Sequence, residues 1–308
     1  MIVTCTMNPA IDLFCQFDSF EPDEVNRSYY EEYQANGKGV NVSFVLRKMQ
    51  IANTATGFLG GFTGDFIEET LQNKEIATDF ISIDGITRIN TFIRAHKKEY
   101  KAVNQGPMIS EQSQHQLLEK LAILGTKDML IVSGSLPQGV PEKLLVEIAE
   151  LSLRKGFKLV MDISSDIMLE CLTYQPYLIK PNDEELATWL KTPALVSTAA
   201  IIGAANELRK KGARNVLVSR GEKGTLLVTA QGDIYQTTAP QGKVVNTACA
   251  GDTLLAAFIG SLEKGESIAE ALIYATAAGS STAFQPGISD LTDIEKLRQT
   301  IELKIGRN

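Results

Sequence analysis

The sequence predicts an α/β fold: a mainly parallel sheet with helices on both faces. Short β-branched or apolar runs alternate with longer helical patterns over most of the 308 residues, the last third turns helical, and no repeat or low-complexity linker breaks the order. MIVTCT (1–6) opens as a strand, VNVSFVLRKM (40–49) follows as a helix and TATGFL (54–59) as the next strand. QHQLLEKLAIL (114–124) is helical, DMLIVSG (128–134) extended and PEKLLVEIAELSLRK (141–155) helical again. The pattern continues through FKLVMDIS (157–164) and PYLIKPN (176–182) as strands, then DEELATWL (183–190) and AAIIGAANELRKKG (199–212) as helices. RNVLVSRG (214–221) is a strand, and helices are expected over 252–263, 268–283 and 290–303.

Two regions depart from the alternation. Residues 13–34 and 89–103 read as strands or hairpins without a crossover helix. They fit a small sheet covering one end of a single core domain (1–308), or a plain edge hairpin; a covering sheet would exclude water from a reactive group. Apolar strand residues such as 13–17 also invite pairing with a second chain, so a homodimer through this lid is expected.

Composition excludes several function classes. With 44% hydrophobic and 22% charged residues the chain folds as an ordinary globular protein. A net charge of −7 without Lys/Arg blocks argues against nucleic acid or an anionic membrane as the main partner. MIVTCTMNPAID lacks the pattern of a signal peptide, and no run approaches the roughly twenty apolar residues of a membrane span, so a cytoplasmic location is expected. Cysteines 5, 15, 171 and 249 form no C-x-x-C pair, and His96 and His115 are the only histidines, which disfavours structural zinc and a histidine-based triad. Cys5, in an apolar strand, reads as core.

The glycine patterns fit neither familiar nucleotide loop. Gly37 and Gly39 are followed by Val42 where a third dinucleotide-site glycine belongs, and Gly37-Lys38 precedes Gly39 instead of Ser or Thr. NGKGVNVS (36–43) nevertheless offers tight turns, an ammonium and the Asn41 amide before a helix, the donors that polyols and phosphates need. Asn8 and Asp12, just after the first strand, would complete a sugar site at the strand ends. In VVNTACAGDTLLAAFIG (244–260) a helix starting at Gly251 or Asp252 aims free amides at an anion. Asp252 is then either a helix cap or a carboxylate that takes a proton during chemistry on that anion.

The pairing of NGKGVNVS with NTACAGDTLLAAF resembles the two signatures of the ribokinase-like sugar kinases, the PfkB family. FLGGFTGDF (58–66), SGSLPQGVP (133–141), LIKPNDEEL (178–186) and VSRGEKGTLL (218–227) fit the same family, so the match spans essentially the whole chain. VNR (25–27), TRIN (87–90) and NQGPMIS (104–110) resemble its bacterial 1-phosphofructokinase and tagatose-6-phosphate kinase branch, with TRIN leaning to the former.

The resemblance implies a three-layer α/β/α domain with a β-sheet lid that often clasps a second subunit, and dependence on ATP and Mg²⁺. It implies Asp252 as catalytic base, with the amides of Cys249, Ala250, Gly251 and Asp252 as an anion hole for the transferring phosphoryl group. Asp12, Gly37, Lys38, Gly39 and Asn41 match sugar-binding positions; Arg27, Lys38, Arg88 and Asn90 are candidates for the phosphate of the sugar, and Ser135 for a further substrate contact. Lys180, Asn182 and Glu185 match a phosphate and magnesium motif, with Asn182 and Glu185 placed to share a hydrated Mg²⁺; the same pair also reads as a capping box. Ser219, Gly221, Glu222 and Gly224 match a loop beside the nucleotide, with Gly251 and residues 284–287 near ATP.

Three positions depart from the family: Cys249 and Asn36 stand where glycine is common, and Phe92 where the 1-phosphofructokinase branch often has Lys, leaving Arg94, Lys97 or Lys98 as substitutes. The expected reaction is phosphorylation of fructose 1-phosphate at O6 to fructose 1,6-bisphosphate. The alternatives are tagatose-6-phosphate kinase activity and, in another class, a non-catalytic sugar-phosphate or nucleotide sensor.

Overall fold

The computed structural model describes every residue except 97, 193 and 308. The chain opens with β1 (Ile2–Thr6), β2 (Ala10–Phe17), β3 (Tyr30–Asn36), α1 (Lys38–Lys48), β4 (Thr54–Leu59) and α2 (Gly61–Asn73). It continues through β5 (Ala77–Thr78), β6 (Ile81–Ser82), β7 (Arg88–Ala95), β8 (Lys98–Ala102), α3 (Glu111–Leu121), β9 (Met129–Ser133) and α4 (Lys143–Lys155). Then come β10 (Lys158–Asp162), α5 (Met168–Cys171), β11 (Leu178–Ile179), α6 (Asp183–Trp189), α7 (Thr198–Lys211), β12 (Asn215–Ser219), β13 (Thr225–Val228) and β14 (Asp233–Thr237). The C-terminal part holds α8 (Ala250–Glu263), α9 (Ile268–Ala283), α10 (Ile294–Arg298) and β15 (Leu303–Arg307).

The large sheet runs β15-β14-β13-β12-β11-β10-β9-β1-β4-β5, with β6 also on β4. Pairing is parallel from β12 across to β5 and antiparallel from β12 out to β15. Side chains alternate between its two faces, as the strand period of two requires. Leu130, Val132, Leu159 and Met161 pack with Leu145 and Ile148 of α4 on one side. Met129, Ile131 and Val160 pack with Leu255 and Leu272 of α8 and α9 on the other. Cys5 is fully buried, as expected of a small core residue.

The second sheet, β3-β2-β7-β8, is the lid. Ile11 and Ala35, paired across β2 and β3, pack with Val40, Phe44, Ile67 and Leu71, which ties the lid to α1 and α2. β2 and β7 run parallel, so Asp12 lies beside Asn90 and Phe14 beside Phe92.

One expected element fails. Residues 290–303 are not one helix: only Ile294–Arg298 is helical, and Leu303–Arg307 pairs with β14 at the sheet edge. The Asp290 carboxylate accepts from the Thr292 amide at 3.1 Å and from its hydroxyl at 2.8 Å, and Leu291 has φ +65°. An Asx turn beside a left-handed residue stops a helix from starting there. The β13–β14 hairpin lies outside the expected elements, because a four-residue strand after a glycine loop carries little periodic signal; the helix α2 (Gly61–Asn73) is a further element beyond the expected ones.

Candidate active site

The site forms where β1, β9, β10 and β11 end and the lid begins, the carboxyl edge at which open α/β sheets bind ligands. The chain enters α1 through Gly37, whose φ of +140° suits glycine, and Gly39 lies so close to β1 that an added Cβ would sit 2.4 Å from the Thr6 hydroxyl. This close approach fixes the first turn of α1 under the lid.

Asp12 is 4% exposed and accepts from Asn90 Nδ2 at 2.8 Å and from Asn36 Nδ2. Asn36 Oδ1 accepts in turn from the Gly37 amide at 2.5 Å and from Asn41 Nδ2 at 2.9 Å. Asn41 Nδ2 also reaches Asp252 Oδ2 at 2.8 Å and Cys249 Sγ at 3.2 Å. A side-chain amide has two N–H donors, so these three acceptors compete for Asn41. A continuous hydrogen-bonded chain thus links the lid carboxylate Asp12 to Asp252.

Asp252 sits in the first turn of α8, buried, with Oδ2 held by Asn41 and Oδ1 making no hydrogen bond to any described residue. Burial and the neighbouring Asp162 charge push its carboxyl up to about 6, against the Asn41 hydrogen bond and the Lys38 and Lys180 charges. The helix-cap reading fails: the N-cap is Cys249, and no side chain caps α8. Of the four expected anion-hole amides, that of Ala250 turns back onto the Thr247 carbonyl at 3.3 Å. The amides of Cys249, Gly251 and Asp252 meet no acceptor among the described residues.

The backbone at Cys249 accounts for glycine being common at this position. Its φ of +62° is left-handed, the conformation glycine adopts without strain. Burial, Asp252 and Asp12 raise its thiol to about 12, so the group beside Asn41 is neutral. Cys249→Gly relieves the left-handed strain, roughly 1–2 kcal/mol, and gives up the sulfur contact and some unfolded-state restriction. A rise in Tm is the expected net result in thermal melts; a fall of several degrees would show that the sulfur contact outweighs the strain.

Sequence reasoning missed Asp162, the last residue of β10. Its Oδ1 receives Lys38 Nζ and Lys180 Nζ, each at 3.2 Å, and the carboxylate is 1% exposed. Its Oδ2 is buried without a partner, as is the Ser133 hydroxyl on the paired position of β9. An Asp ending an apolar parallel strand is the signal that could have found it. Burial works against the Lys38 ammonium, yet Asp162 and Asp252 outweigh it and raise Lys38. Lys180 lies over the start of α8, its Nζ 3.4 Å from where a Cβ on Gly251 would stand.

Where the nucleotide is expected, Asn182 and Glu185 form the capping box of α6: Asn182 Oδ1 accepts from the Glu185 amide at 2.8 Å, and Glu185 Oε2 from the Asn182 amide at 2.9 Å. Glu185 Oε1 is outside that box. Ser219 bridges to Asn182, and the turn Gly221–Lys223, which contains Glu222, leads through Gly224 into β13. Residues 284–287 lie beside the entry to α8, where Asn246 Nδ2 donates to the Pro286 carbonyl at 3.0 Å.

The basic candidates separate. Arg88 spends three donors on backbone carbonyls, those of Asn8 (2.8 Å), Pro9 (3.4 Å) and Asn104 (2.9 Å), so it clamps the β1–β2 turn to the segment after β8. Arg27 is not brought to the cluster. It is exposed in the loop beyond the Gln16–Tyr30 pair, four residue pairs or roughly 13 Å along the ladder from Asp12. Ser135 is exposed and accepts from Asn8 Nδ2 at 3.3 Å, in the loop packed against Lys38. Phe92 stacks on Phe14, with ring centroids 4.9 Å apart. Arg94 faces the same cavity with a 3.7 Å contact to Glu99, Lys98 lies exposed at the far end of the lid, and Lys97 is outside the described residues. A cavity of about 920 Å³ opens beneath the lid, bordered by Asp12, Asn36, Asn41, Phe92 and Cys249.

A model of the pfkB family carbohydrate kinases matches residues 5–295. The chain belongs to this family. The D-tagatose-1-phosphate kinase of Bacillus licheniformis is 48% identical over 98% of this chain and 99% of the relative. The 1-phosphofructokinase of Bacillus subtilis is 33% identical over the same shares. A crystal structure from Staphylococcus aureus, of a protein provisionally assigned as a phosphofructokinase, superposes with a TM-score of 0.91 at 35% identity and full coverage of both chains. This PfkB protein is therefore a sugar-phosphate kinase, a phosphotransferase acting on a hydroxyl acceptor, with a ribokinase-like fold. Sugar kinases of the family use ATP. No helix among the described residues is long and apolar enough to cross a membrane.

Proposed function

We propose that the protein transfers the γ-phosphoryl group of ATP to the C6 hydroxyl of a ketohexose 1-phosphate, with Asp252 as general base. The observation that carries this reading is the state of Asp252: buried, held through one oxygen by Asn41, with the other oxygen open and the carboxyl raised to about 6. Such a group is ionised at neutral pH and basic enough to take a hydroxyl proton. The free amides at the α8 N-terminus, with Lys180 beside Gly251, stabilise charge on the transferring group. Asp12, Asn36 and Asn90 hold the sugar hydroxyls, and Lys38 holds a phosphate oxygen near Asp162.

The donor set suits Mg²⁺. Asp162 Oδ2 is a buried carboxylate oxygen with no partner, and Glu185 keeps one oxygen outside its capping box. Among the described residues no three His, Cys, Asp or Glu side chains cluster for a metal, so Asp162 and Glu185 would hold the ion together with phosphate oxygens and water. When bound, it neutralises phosphate charge. Asp162 also positions Lys38 and Lys180 with its other oxygen.

For the sugar, D-tagatose 1-phosphate is the preferred reading, supported by the 48% identical relative and by Phe92 in place of Lys. Fructose 1-phosphate, the substrate expected from TRIN, is the second reading, supported by the segment Thr87 to Asn90. The two sugars are epimers at C4. The lid carries exposed Tyr29, Tyr30, Tyr33 and Tyr100, and these side chains support a homodimer through that sheet. Coupled ADP-release assays with both ketohexose 1-phosphates, tagatose 6-phosphate and fructose 6-phosphate test the reading. Turnover highest on a ketohexose 1-phosphate is the expected result, and background rates on all four would sink it.

A further inference from the structure

We propose that Asn36, together with Asp12, reads the configuration of the sugar at C4 and so sets which ketohexose 1-phosphate the enzyme prefers; this rests on the function proposed above. Asn36 ends β3 and faces the cavity beneath the lid. Its orientation is fixed by its neighbours. Oδ1 accepts from two donors, the Gly37 amide at 2.5 Å and Asn41 Nδ2 at 2.9 Å, so Nδ2 must turn to the Asp12 carboxylate.

One N–H of Nδ2 is used on Asp12 Oδ2, and the other meets no acceptor among the described residues. Asp12 Oδ2 receives only that bond, while Oδ1 takes Asn90. A spare donor and a spare carboxylate lone pair therefore lie side by side. A hydroxyl is the group that fits such a pair, because it accepts and donates at once. Epimerisation moves the hydroxyl to the other face of the carbon and removes both bonds, leaving the buried Asp12 carboxylate and the half-buried Asn36 amide half-paired. With glycine at this position the donor is missing, Asp12 Oδ2 keeps both lone pairs open, and discrimination falls to the carboxylate alone. Asn36 is thus a departure from the family that adds a donor where the two candidate substrates differ.

The test compares kcat/KM for D-tagatose 1-phosphate and D-fructose 1-phosphate in the wild type, Asn36→Gly and Asn36→Ala, with thermal melts of all three. A preference of at least tenfold in the wild type, moved at least fivefold towards unity in the variants, is expected. A second measurement needs no variant: the calorimetric Kd of the 4-deoxy analogue common to both epimers, expected at least fivefold weaker than that of the preferred epimer. Equal turnover of the two epimers by the wild type, a ratio unchanged within twofold in the folded variants, or a 4-deoxy analogue binding as tightly as the preferred epimer overturns the role of Asn36 alone. Absence of turnover on either epimer overturns the underlying substrate reading as well.

Discussion

Asp252→Asn is expected to lower kcat by roughly 10²- to 10⁴-fold while KM for the sugar phosphate changes little. The amide keeps the volume and can still meet Asn41, but it cannot accept the proton of the attacking hydroxyl. The wild-type pH profile carries the same assignment. Burial, and after it the Asp162 charge, raise the Asp252 carboxyl to about 6, so kcat/KM should fall about tenfold per unit below pH ~6. That limb should vanish from the residual activity of the variant. Stability moves in the opposite sense: the raised value means that the folded state favours the protonated form. Asp252 therefore costs stability increasingly as pH rises from the ordinary carboxylate value, about 4, through about 6. Asp252→Asn should accordingly melt at or above the wild-type Tm at neutral pH. Near-normal kcat in the variant would refute the base assignment even with the kinase activity intact.

Asp162→Asn is expected to destabilise the protein by about 3–5 kcal/mol, the range for removing one partner of a buried ion pair. Asp162 and Lys180 are 1% and 6% exposed, so the change leaves the Lys180 ammonium buried without its counter-ion. Burial pushes the Asp162 carboxyl up, but Lys180 and Lys38 outweigh it and hold the group below the usual range. Its stabilisation is thus fully present above the ordinary carboxylate pKa and is lost as pH falls through the depressed folded value. Removing this negative charge also removes one cause of the raised Asp252 value, so the acid limb of kcat/KM should move to lower pH in the variant. Urea unfolding measures the first effect and the pH profile the second. Stability within about 1 kcal/mol of wild type, or a limb that stays in place, would show that the pair does not act as described.

Much of the site was legible as motif and little of it as geometry. NGKGVNVS and AGD each place donors beside a helix start, a pattern that any loop before a helix can show; their pairing in one chain is what resembles the PfkB signatures. Nothing in either motif shows that Asn41 of one reaches Asp252 of the other, 211 residues away in sequence. KPNDEE fits both a capping box and a magnesium motif; the structure shows the box, and the open Glu185 oxygen leaves room for the second role. Arg27 was a phosphate-ligand candidate from the VNR motif and its guanidinium fork, and its place beyond the β2–β3 ladder sets it away from Asp12 within this chain. Residues 290–303 had helical periodicity, but the Asp290 turn and the left-handed Leu291 are local events that periodicity does not register.

By itself the sequence determined the α/β class, the order of most strands and helices and the lid segments, from apolar periods and glycines at tight turns. The sugar-kinase chemistry came from the resemblance of its motifs to the PfkB family, since a carboxylate at a helix start reads equally as a cap. Only the tertiary structure decided which groups share a charge or a proton. Asp162 became the counter-ion of two lysines because β10 ends beside the start of α1 and the segment after β11. Asn36 meets Asp12 because β2 and β3 pair within the lid, and Asn41 meets Asp252 because α1 packs beside α8 on the large sheet. Electrostatics and hydrogen bonding depend on distances of a few ångströms between residues far apart in the chain, and these distances exist only once the chain is packed.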